Sequence, residues 1–193
     1  MTAIAGLVHD GRVLIGADSG GVGGWIVNVR KDSKVFTNGA YVMGFTTSFR
    51  MGQLLRWSFK PPAPGKGSLE RFMCTTWVDA VRAALRDGGW AKKDAEQEKG
   101  GEFLVGVRGR LFVVAEDFQV GEHVDGYAAA GSGEQLALGA LSATEHLGLD
   151  PEKRVLSALE AAERHNIGVR GPFHLVWEKK PSRRGTIRME DTT

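Results

Sequence analysis

The sequence contains one cysteine, no long apolar run and very little net charge. Because Cys74 stands alone among 193 residues, it can form neither an internal disulfide nor a cysteine-based metal site, which favours a reducing cytoplasm. No apolar run reaches the roughly 20 residues of a membrane helix, and the amino terminus lacks the basic-then-apolar order of a signal peptide. The net charge of +2 is too small to indicate nucleic-acid binding. We therefore expect neither export, nor membrane insertion, nor a nucleic-acid partner.

Signals for a metal or a nucleotide are weak. The five histidines show no spacing such as His-Glu-x-x-His, and we expect no metal and no other cofactor. The glycines at positions 20, 21, 23 and 24 would let the backbone pass close to a ligand. No Gly-Lys-Ser/Thr follows them, and the dinucleotide spacing of three glycines is incomplete. A phosphate site is therefore the weaker interpretation of this cluster.

What is present is the composition of an ordinary globular domain. With 42% hydrophobic and 25% charged residues, the chain is long enough to bury one sizeable core. The last strand pattern ends at Trp177, and polar residues follow it. We predict a single domain over 1–177 and a polar tail over 178–193 that adds nothing to the core.

Strand patterns occur in three groups along the chain. The turn signals His9-Asp10-Gly11 and Asn38-Gly39 each join two apolar runs into a hairpin. The predicted strands cover 3–8, 12–17, 34–37, 41–45, 103–107, 111–115 and 173–177. The polar segment 90–101 between the second and third hairpins is interpreted as an exposed excursion or a short extra helix.

Helix patterns come in consecutive pairs. One pair begins at Ser48 and Ser68, and the other begins after Gly133 and at Asp150, where Pro151 occupies the first helical position. Paired helices cannot be simple crossovers of a parallel sheet. The order instead predicts two antiparallel sheets face to face with a helical layer outside each, which is an α+β four-layer αββα sandwich.

The amino terminus carries the residue types of a self-contained nucleophile. Thr2 follows Met1 directly, and a residue this small normally allows the initiator to be removed. The mature chain would then begin with a hydroxyl and a free α-amine on one residue. Asp18 and Lys34 follow at even spacing. Taken singly, Thr2 is also explained as a strand residue behind a retained Met1. Asp18 and Lys34 are likewise explained as a turn residue and a solvated charge.

Together with Ser132 in Gly131-Ser132-Gly133, these residues resemble a known family over the chain up to about Trp177. The family is the proteasome β-subunit group of N-terminal-nucleophile (Ntn) hydrolases, including HslV-like peptidase rings. The resemblance implies that Thr2 is the nucleophile, that Asp18 and Lys34 are its charged partners, and that Ser132 lies near the amine. An α-amine with a pKa of about 8 can act as a base at neutral pH. Positive charge on Lys34 would stabilise a developing alkoxide.

The resemblance also implies an oxyanion and substrate-binding region at Thr47, Ser48 and Gly133. Backbone N–H groups around Thr47 and Ser48 would each stabilise an oxyanion by roughly 3 kcal/mol. The family usually has two glycines at this strand-to-helix turn, where this chain has Thr46-Thr47-Ser48.

A second departure from the family concerns its late aspartate. At this point of the last helix the present chain has His165 or Asn166. Either residue could support Ser132 or the amine, and a histidine there would carry a pH-dependent charge.

Two functions follow from the resemblance. The first is a threonine-type amide hydrolase, a peptidase acting on peptides or unfolded proteins inside a homo-oligomeric ring or stacked rings, with an ATPase unfoldase as a candidate partner. The second is a catalytically silent relative that uses the fold as an assembly or binding module. Removal of Met1 discriminates between them, because the amine base does not exist while Met1 is attached.

Overall fold

The computed structural model describes residues 1–94 and 97–180. The strands in chain order are β1 (Ile4–His9), β2 (Arg12–Ala17), β3 (Gly20–Gly23), β4 (Ile26–Val29), β5 (Val35–Asn38), β6 (Tyr41–Phe45), β7 (Lys92–Asp94), β8 (Gln97–Lys99), β9 (Phe103–Val107), β10 (Arg110–Val114), β11 (Val120–Glu122), β12 (Tyr127–Ala130) and β13 (His174–Trp177).

Helices follow β6 and β12. They are α1 (Phe49–Gln53), which continues as a π-helical turn (Leu54–Ser58), α2 (Leu69–Phe72), which continues through a π-helical turn (Met73–Trp77) into α3 (Val78–Asp87), and α4 (Glu134–Ala143) and α5 (Pro151–His165). Ser48 and Ser68 cap α1 and α2 by accepting hydrogen bonds from backbone N–H groups of the first turn. No helix of the described chain is both long enough and apolar enough to cross a membrane.

Two antiparallel sheets form the centre of the molecule. One has the order β12-β1-β2-β13 and the other the order β11-β10-β9-β6-β5. Alternate side chains of facing strands, such as Ile15 of β2 and Val42 of β6, meet in a buried cluster between the sheets. Because β1 and β2 are also covered on their other face, both are apolar along nearly their whole length.

Each sheet is covered by helices on its outer face. Met51, Leu85 and Trp77 pack with Phe103 on the five-stranded sheet. On the four-stranded sheet, α4 and α5 bury residues such as Leu159 against Leu14 and its neighbours. The predicted four-layer αββα sandwich is therefore confirmed.

Two hairpins differ from the sequence-based expectation. The glycines at 20–23 form β3, which pairs with β4 as a separate two-stranded sheet. Its apolar side chains, including Trp25 and Ile26, are exposed, so no buried alternation marked it in the sequence. The segment 90–101 contains the hairpin β7–β8 instead of a helix.

The folded domain extends one residue beyond the predicted boundary at Trp177. The Glu178 carboxylate is buried and accepts hydrogen bonds from the N–H groups of Val13 (3.2 Å) and Gly109 (3.0 Å). It therefore ties β2 of one sheet to the β9–β10 turn of the other. Assigning Glu178 to a tail without core contribution was wrong, since a carboxylate can be buried where N–H donors surround it. The rest of the predicted tail from 181 onward lies outside the described residues.

Candidate active site

Thr2 lies two residues before β1, close to the turns that precede α1 and α4. Its carbonyl accepts a hydrogen bond from Gly133 N–H (3.1 Å), and the N–H of the next residue, Ala3, donates to Asp18 Oδ1 (3.2 Å). Only 4% of Thr2 is exposed. The nucleophile candidate is thus fixed by backbone bonds on both sides, which is the positioning that a reacting hydroxyl needs.

Lys34 lies between the Thr2 hydroxyl and Asp18. Its Nζ donates to Thr2 Oγ1 at 2.8 Å and to Asp18 Oδ1 at 2.7 Å. Both charged side chains are almost completely inaccessible to solvent. Burial lowers the pKa of Lys34 below its ordinary value, while the Asp18 carboxylate acts in the opposite direction. The structure therefore places a buried ammonium against the oxygen on which negative charge would develop.

Asp18 is held by more than Lys34. Its Oδ2 accepts hydrogen bonds from Gly20 N–H (2.8 Å) and Arg170 N–H (3.1 Å), in addition to the bonds at Oδ1. The contribution of Arg170 was not predicted, because the residues are 152 positions apart. Four donors satisfy a carboxylate that would otherwise be costly to bury.

Ser132 lies on the other side of Thr2. Its Oγ accepts a hydrogen bond from Thr2 N–H at 3.1 Å. Asn166 contacts it in turn, since Asn166 Nδ2 donates to Ser132 O (2.6 Å) and Ser132 Oγ donates to Asn166 Oδ1 (3.4 Å). His165 makes no hydrogen bond to Ser132 within the described chain, and its side chain is exposed. Of the two residues left open by the sequence, the structure brings Asn166 to the site.

The strand-to-helix turn after β6 offers a free backbone donor at Thr47. Thr47 has a positive φ of 59°, and its N–H has no hydrogen-bond partner among the described residues. Ser48 N–H donates to Thr46 O (2.6 Å), and Gly133 N–H is engaged by Thr2 O. Of the three residues predicted for oxyanion binding, only Thr47 therefore presents an unpaired N–H in this conformation.

Glu102 connects the two turns that flank Thr2, and sequence analysis missed it. Its backbone carbonyl accepts from Thr46 N–H (3.1 Å), its N–H donates to Thr47 Oγ1 (3.2 Å), and its Oε2 accepts from Gly131 N–H (2.9 Å). Burial raises the pKa of the adjacent Glu134 carboxyl, and the Glu102 carboxylate raises it further. A lone glutamate before a strand carries no sequence signal of such a bridge.

A cleft of about 570 Å³ opens beside Thr2. One wall is the β3–β4 hairpin, and the opposite wall is the turn from β6 into α1. Its lining comprises Met1, Thr2, Gly20, Gly21, Val22, Gly23, Asn28, Arg30, Lys34, Phe45, Thr46, Thr47, Ser48 and Phe49. The glycines of β3 therefore border this cleft. No cluster of three metal-binding side chains occurs in the described parts of the chain.

While Met1 is attached, the nitrogen of Thr2 is a peptide amide and not an amine. Thr2 Oγ1 donates to the Met1 carbonyl at 2.5 Å. The Met1 side chain, which is more than half exposed, lies against Gly168. Removal of Met1 would take away this acceptor and convert Thr2 N from an amide to an amine.

Sequence comparisons find no relative of the chain: no protein-family model matches it, and no curated protein does. Solved structures are similar in fold. Thiobacillus denitrificans BPH in complex with epoxomicin has a TM-score of 0.77 and 23% identity, over 93% of this chain and 100% of that chain. HslV from Trypanosoma brucei has a TM-score of 0.66 and 19% identity, over 91% and 98%. An Anbu mutant from Hyphomicrobium sp. strain MC1 has a TM-score of 0.63 and 18% identity, over 91% and 80%. The chain therefore has the αββα fold of these HslV- and Anbu-type structures.

Proposed function

We propose that the chain is a threonine-type Ntn amide hydrolase of the proteasome-β/HslV-like family, and that it acts as a peptidase. The observation that carries the proposal is the contact of Lys34 Nζ with both Thr2 Oγ1 (2.8 Å) and Asp18 Oδ1 (2.7 Å) in a chain of this fold. A lysine at a strand end is normally solvated. Its burial against a threonine hydroxyl favours a chemical role over a purely structural one.

In the first step the Thr2 hydroxyl attacks the carbonyl carbon of an amide bond. The hydroxyl proton passes to the α-amine that Met1 removal exposes, while the bond from Oγ1 to carbon forms. Lys34 stabilises negative charge on Oγ1, and the free Thr47 N–H is the donor available to the carbonyl oxygen. The amine then gives its proton to the leaving nitrogen as the carbon–nitrogen bond breaks, which leaves an ester on Thr2.

Water completes the reaction. The α-amine takes a proton from the attacking water, and the ester bond breaks with return of a proton to Oγ1. Ser132 contributes by accepting a hydrogen bond from Thr2 N. This hydrogen bond directs the nitrogen lone pair of the mature amine away from Ser132. The lone pair is then available to take the hydroxyl proton. Asn166 fixes the orientation of Ser132 in this arrangement.

A second candidate function is a silent assembly or binding module. The observation that favours it is the hydrogen bond that the Thr2 hydroxyl donates to the Met1 carbonyl, which engages the hydroxyl in the unprocessed chain. With Met1 in place no amine base exists at Thr2. In both cases we propose a cytoplasmic homo-oligomer, and for the hydrolase an ATPase unfoldase that feeds it peptides or unfolded protein.

Intact mass and covalent labelling test the hydrolase. The expected chain is lighter by one methionine, is labelled by epoxomicin at the Thr2 peptide, and hydrolyses members of a reporter-peptide library. Thr2→Ala is expected to abolish labelling and turnover, whereas Thr76→Ala, which changes an exposed threonine that does not line the cleft, keeps both. Turnover by Thr2→Ala equal to that of the wild type removes Thr2 from the mechanism. A fully retained Met1 supports the silent module.

A further inference from the structure

The cleft beside Thr2 has an asymmetric charge. Two cationic side chains, Arg30 and Lys34, line it, and no Asp or Glu does so within the described part of the chain. Lys34 is committed to Thr2 and Asp18. Arg30 is therefore the one lining cation of this part that remains available to a bound molecule.

Arg30 is held in a defined position. Its N–H donates to Ser19 O (2.9 Å), next to Asp18, which places the residue near the nucleophile. Asp32 binds one edge of the guanidinium through Nε and Nη2, both at 2.7 Å. The guanidinium carbon of Arg30 lies over the Phe49 ring, 3.9 Å from its centre. An arginine fixed on two sides loses little further side-chain entropy when it binds a ligand.

Gly21 makes room for the stem of this arginine. A Cβ built on Gly21 would lie 3.0 Å from Arg30 Cδ, closer than side chains normally approach. The absence of a side chain at this position therefore lets Arg30 lie across β3 toward the cleft. The charge of Arg30 also contributes to the lowered pKa of Lys34, which indicates that the two cations are within electrostatic range.

Hydrogen-bond donors remain free on this wall of the cleft. Arg30 Nη1 makes no hydrogen bond to any described residue, and neither does the side-chain amide of Asn28, which lines the same cleft. The guanidinium side chain is 40% exposed. A planar donor group facing a cleft without carboxylates matches an incoming carboxylate and disfavours an incoming ammonium.

We propose that Arg30 selects substrates with a carboxylate on the residue whose carbonyl Thr2 attacks, so that the enzyme cleaves after glutamate or aspartate. This inference rests on the proposed hydrolase function. The carboxylate binds Nη1 of Arg30 with Asn28 as a second donor, while Asp32 keeps the guanidinium oriented. A lysine or arginine at the same substrate position meets the Arg30 guanidinium, and no carboxylate lines the cleft within the described part of the chain.

Reporter peptides that differ only at this position test the proposal. We expect the mature enzyme to have a kcat/KM for a glutamate peptide about tenfold or more above that for the glutamine peptide, as for a charge-assisted hydrogen bond. Arg30→Gln is expected to bring the ratio close to one, because the glutamate peptide then loses its charged partner. Arg30→Lys, which keeps the charge but loses the planar fork, gives an intermediate ratio.

Arg56→Gln is the matched control. It removes a cation that packs on Phe36 and Trp57 but does not line the cleft. The glutamate-to-glutamine ratio of this variant is expected to equal that of the wild type. If Arg56→Gln lowers the ratio as much as Arg30→Gln does, the selectivity comes from overall charge and the role of Arg30 is overturned.

Binding to Thr2→Ala separates this inference from the hydrolase itself. Peptides ending in glutamate and in glutamine are titrated into that variant with and without Arg30→Gln. Preference for glutamate that disappears with Arg30→Gln supports the subsite, even if no peptide is ever hydrolysed and the hydrolase proposal fails. Turnover without any preference between the two peptides overturns the subsite and leaves the hydrolase standing. Absence of binding by both peptides also overturns it.

Discussion

At the scale of single residues, Lys34 is the most unusual feature, because its charged side chain is buried. We expect Lys34→Met to lower the free energy of unfolding by about 3 kcal/mol, the lower end for breaking a buried ion pair. The lower end applies because three backbone N–H groups still bind Asp18. Urea denaturation measures the loss. Lys31→Met, at an exposed lysine, should stay within about 0.5 kcal/mol of the wild type; an equal loss would contradict the argument.

The burial of Lys34 also predicts a pH dependence. The pKa of Lys34 in the folded protein lies below the ordinary value of 10.5. At pH values between these two pKa values, Lys34 is protonated more in the unfolded chain than in the folded one. The free energy of unfolding therefore rises with pH through this window. We expect the difference in unfolding free energy between the wild type and Lys34→Met to grow as the pH is raised from neutrality toward 10.5. A difference that shrinks over this range would show that the pKa is raised instead.

Part of the residue-level arrangement was predictable. Thr2, Asp18 and Lys34 sit at strand ends of two hairpins with clear turns, so their positions follow from local sequence. The choice between His165 and Asn166 was not predictable, because it depends on where α5 ends. The helix stops at His165, and Asn166 adopts extended backbone angles, which bring its side chain to Ser132. Glu102 and Arg170 reach the site across long chain separations that no local pattern encodes.

At the scale of elements, two turns that are distant in the chain are packed against Thr2. Gly131 has a φ of +92°, and a Cβ built there would lie 2.5 Å from the carbonyl oxygen of Thr2 and 3.1 Å from Thr46 Cγ2. Since the same residue donates its N–H to Glu102, it fixes the distance between the two turns. The site therefore depends on close backbone approach between elements as well as on its side chains.

Gly131→Ala tests this dependence. We expect a loss of about 2 kcal/mol in unfolding free energy from the strained backbone, and a lower kcat/KM because Thr2 is displaced. The matched control is Gly121→Ala in β11, where nothing lies within 4 Å of the added Cβ. Denaturation curves and reporter-peptide kinetics give the two measurements. If Gly131→Ala behaves like Gly121→Ala in both, the close approach is unimportant.

The elements themselves were predictable where burial imposes a period. β1, β2, β5 and β6 alternate or run apolar between strong turns, and the paired helices show apolar spacing of three and four. The hairpin β3–β4 was not predictable, because it is built on glycines and turns its apolar side chains to solvent. Because the hairpin belongs to neither central sheet, β3 can form one wall of the cleft.

At the scale of the whole molecule, exposed apolar side chains are concentrated on this hairpin. Trp25 is fully exposed, and Ile26 and Val29 are more than half exposed, all on a two-stranded sheet that projects beside the cleft. Removing a side chain as large as tryptophan from water stabilises the association that buries it. In the homo-oligomer that we propose, the surface of a neighbouring copy would cover Trp25. Every copy carries the same hairpin beside the cleft that the oligomer would enclose.

Light scattering coupled to size-exclusion chromatography tests this assembly. We expect the wild type to elute as a particle of several chains and the double variant Trp25→Ser with Ile26→Ser to shift toward smaller species. Both substituted positions are exposed, so the fold and its midpoint of thermal unfolding should be unchanged.

Trp57→Ser changes another exposed tryptophan, after α1, and should leave the particle intact. A monomeric wild type would contradict the oligomer, whereas an oligomer insensitive to the hairpin variant would keep it and assign its interface to another surface. Because the hairpin is also a wall of the cleft, dissociation should lower peptide turnover along with particle mass, which links assembly to activity.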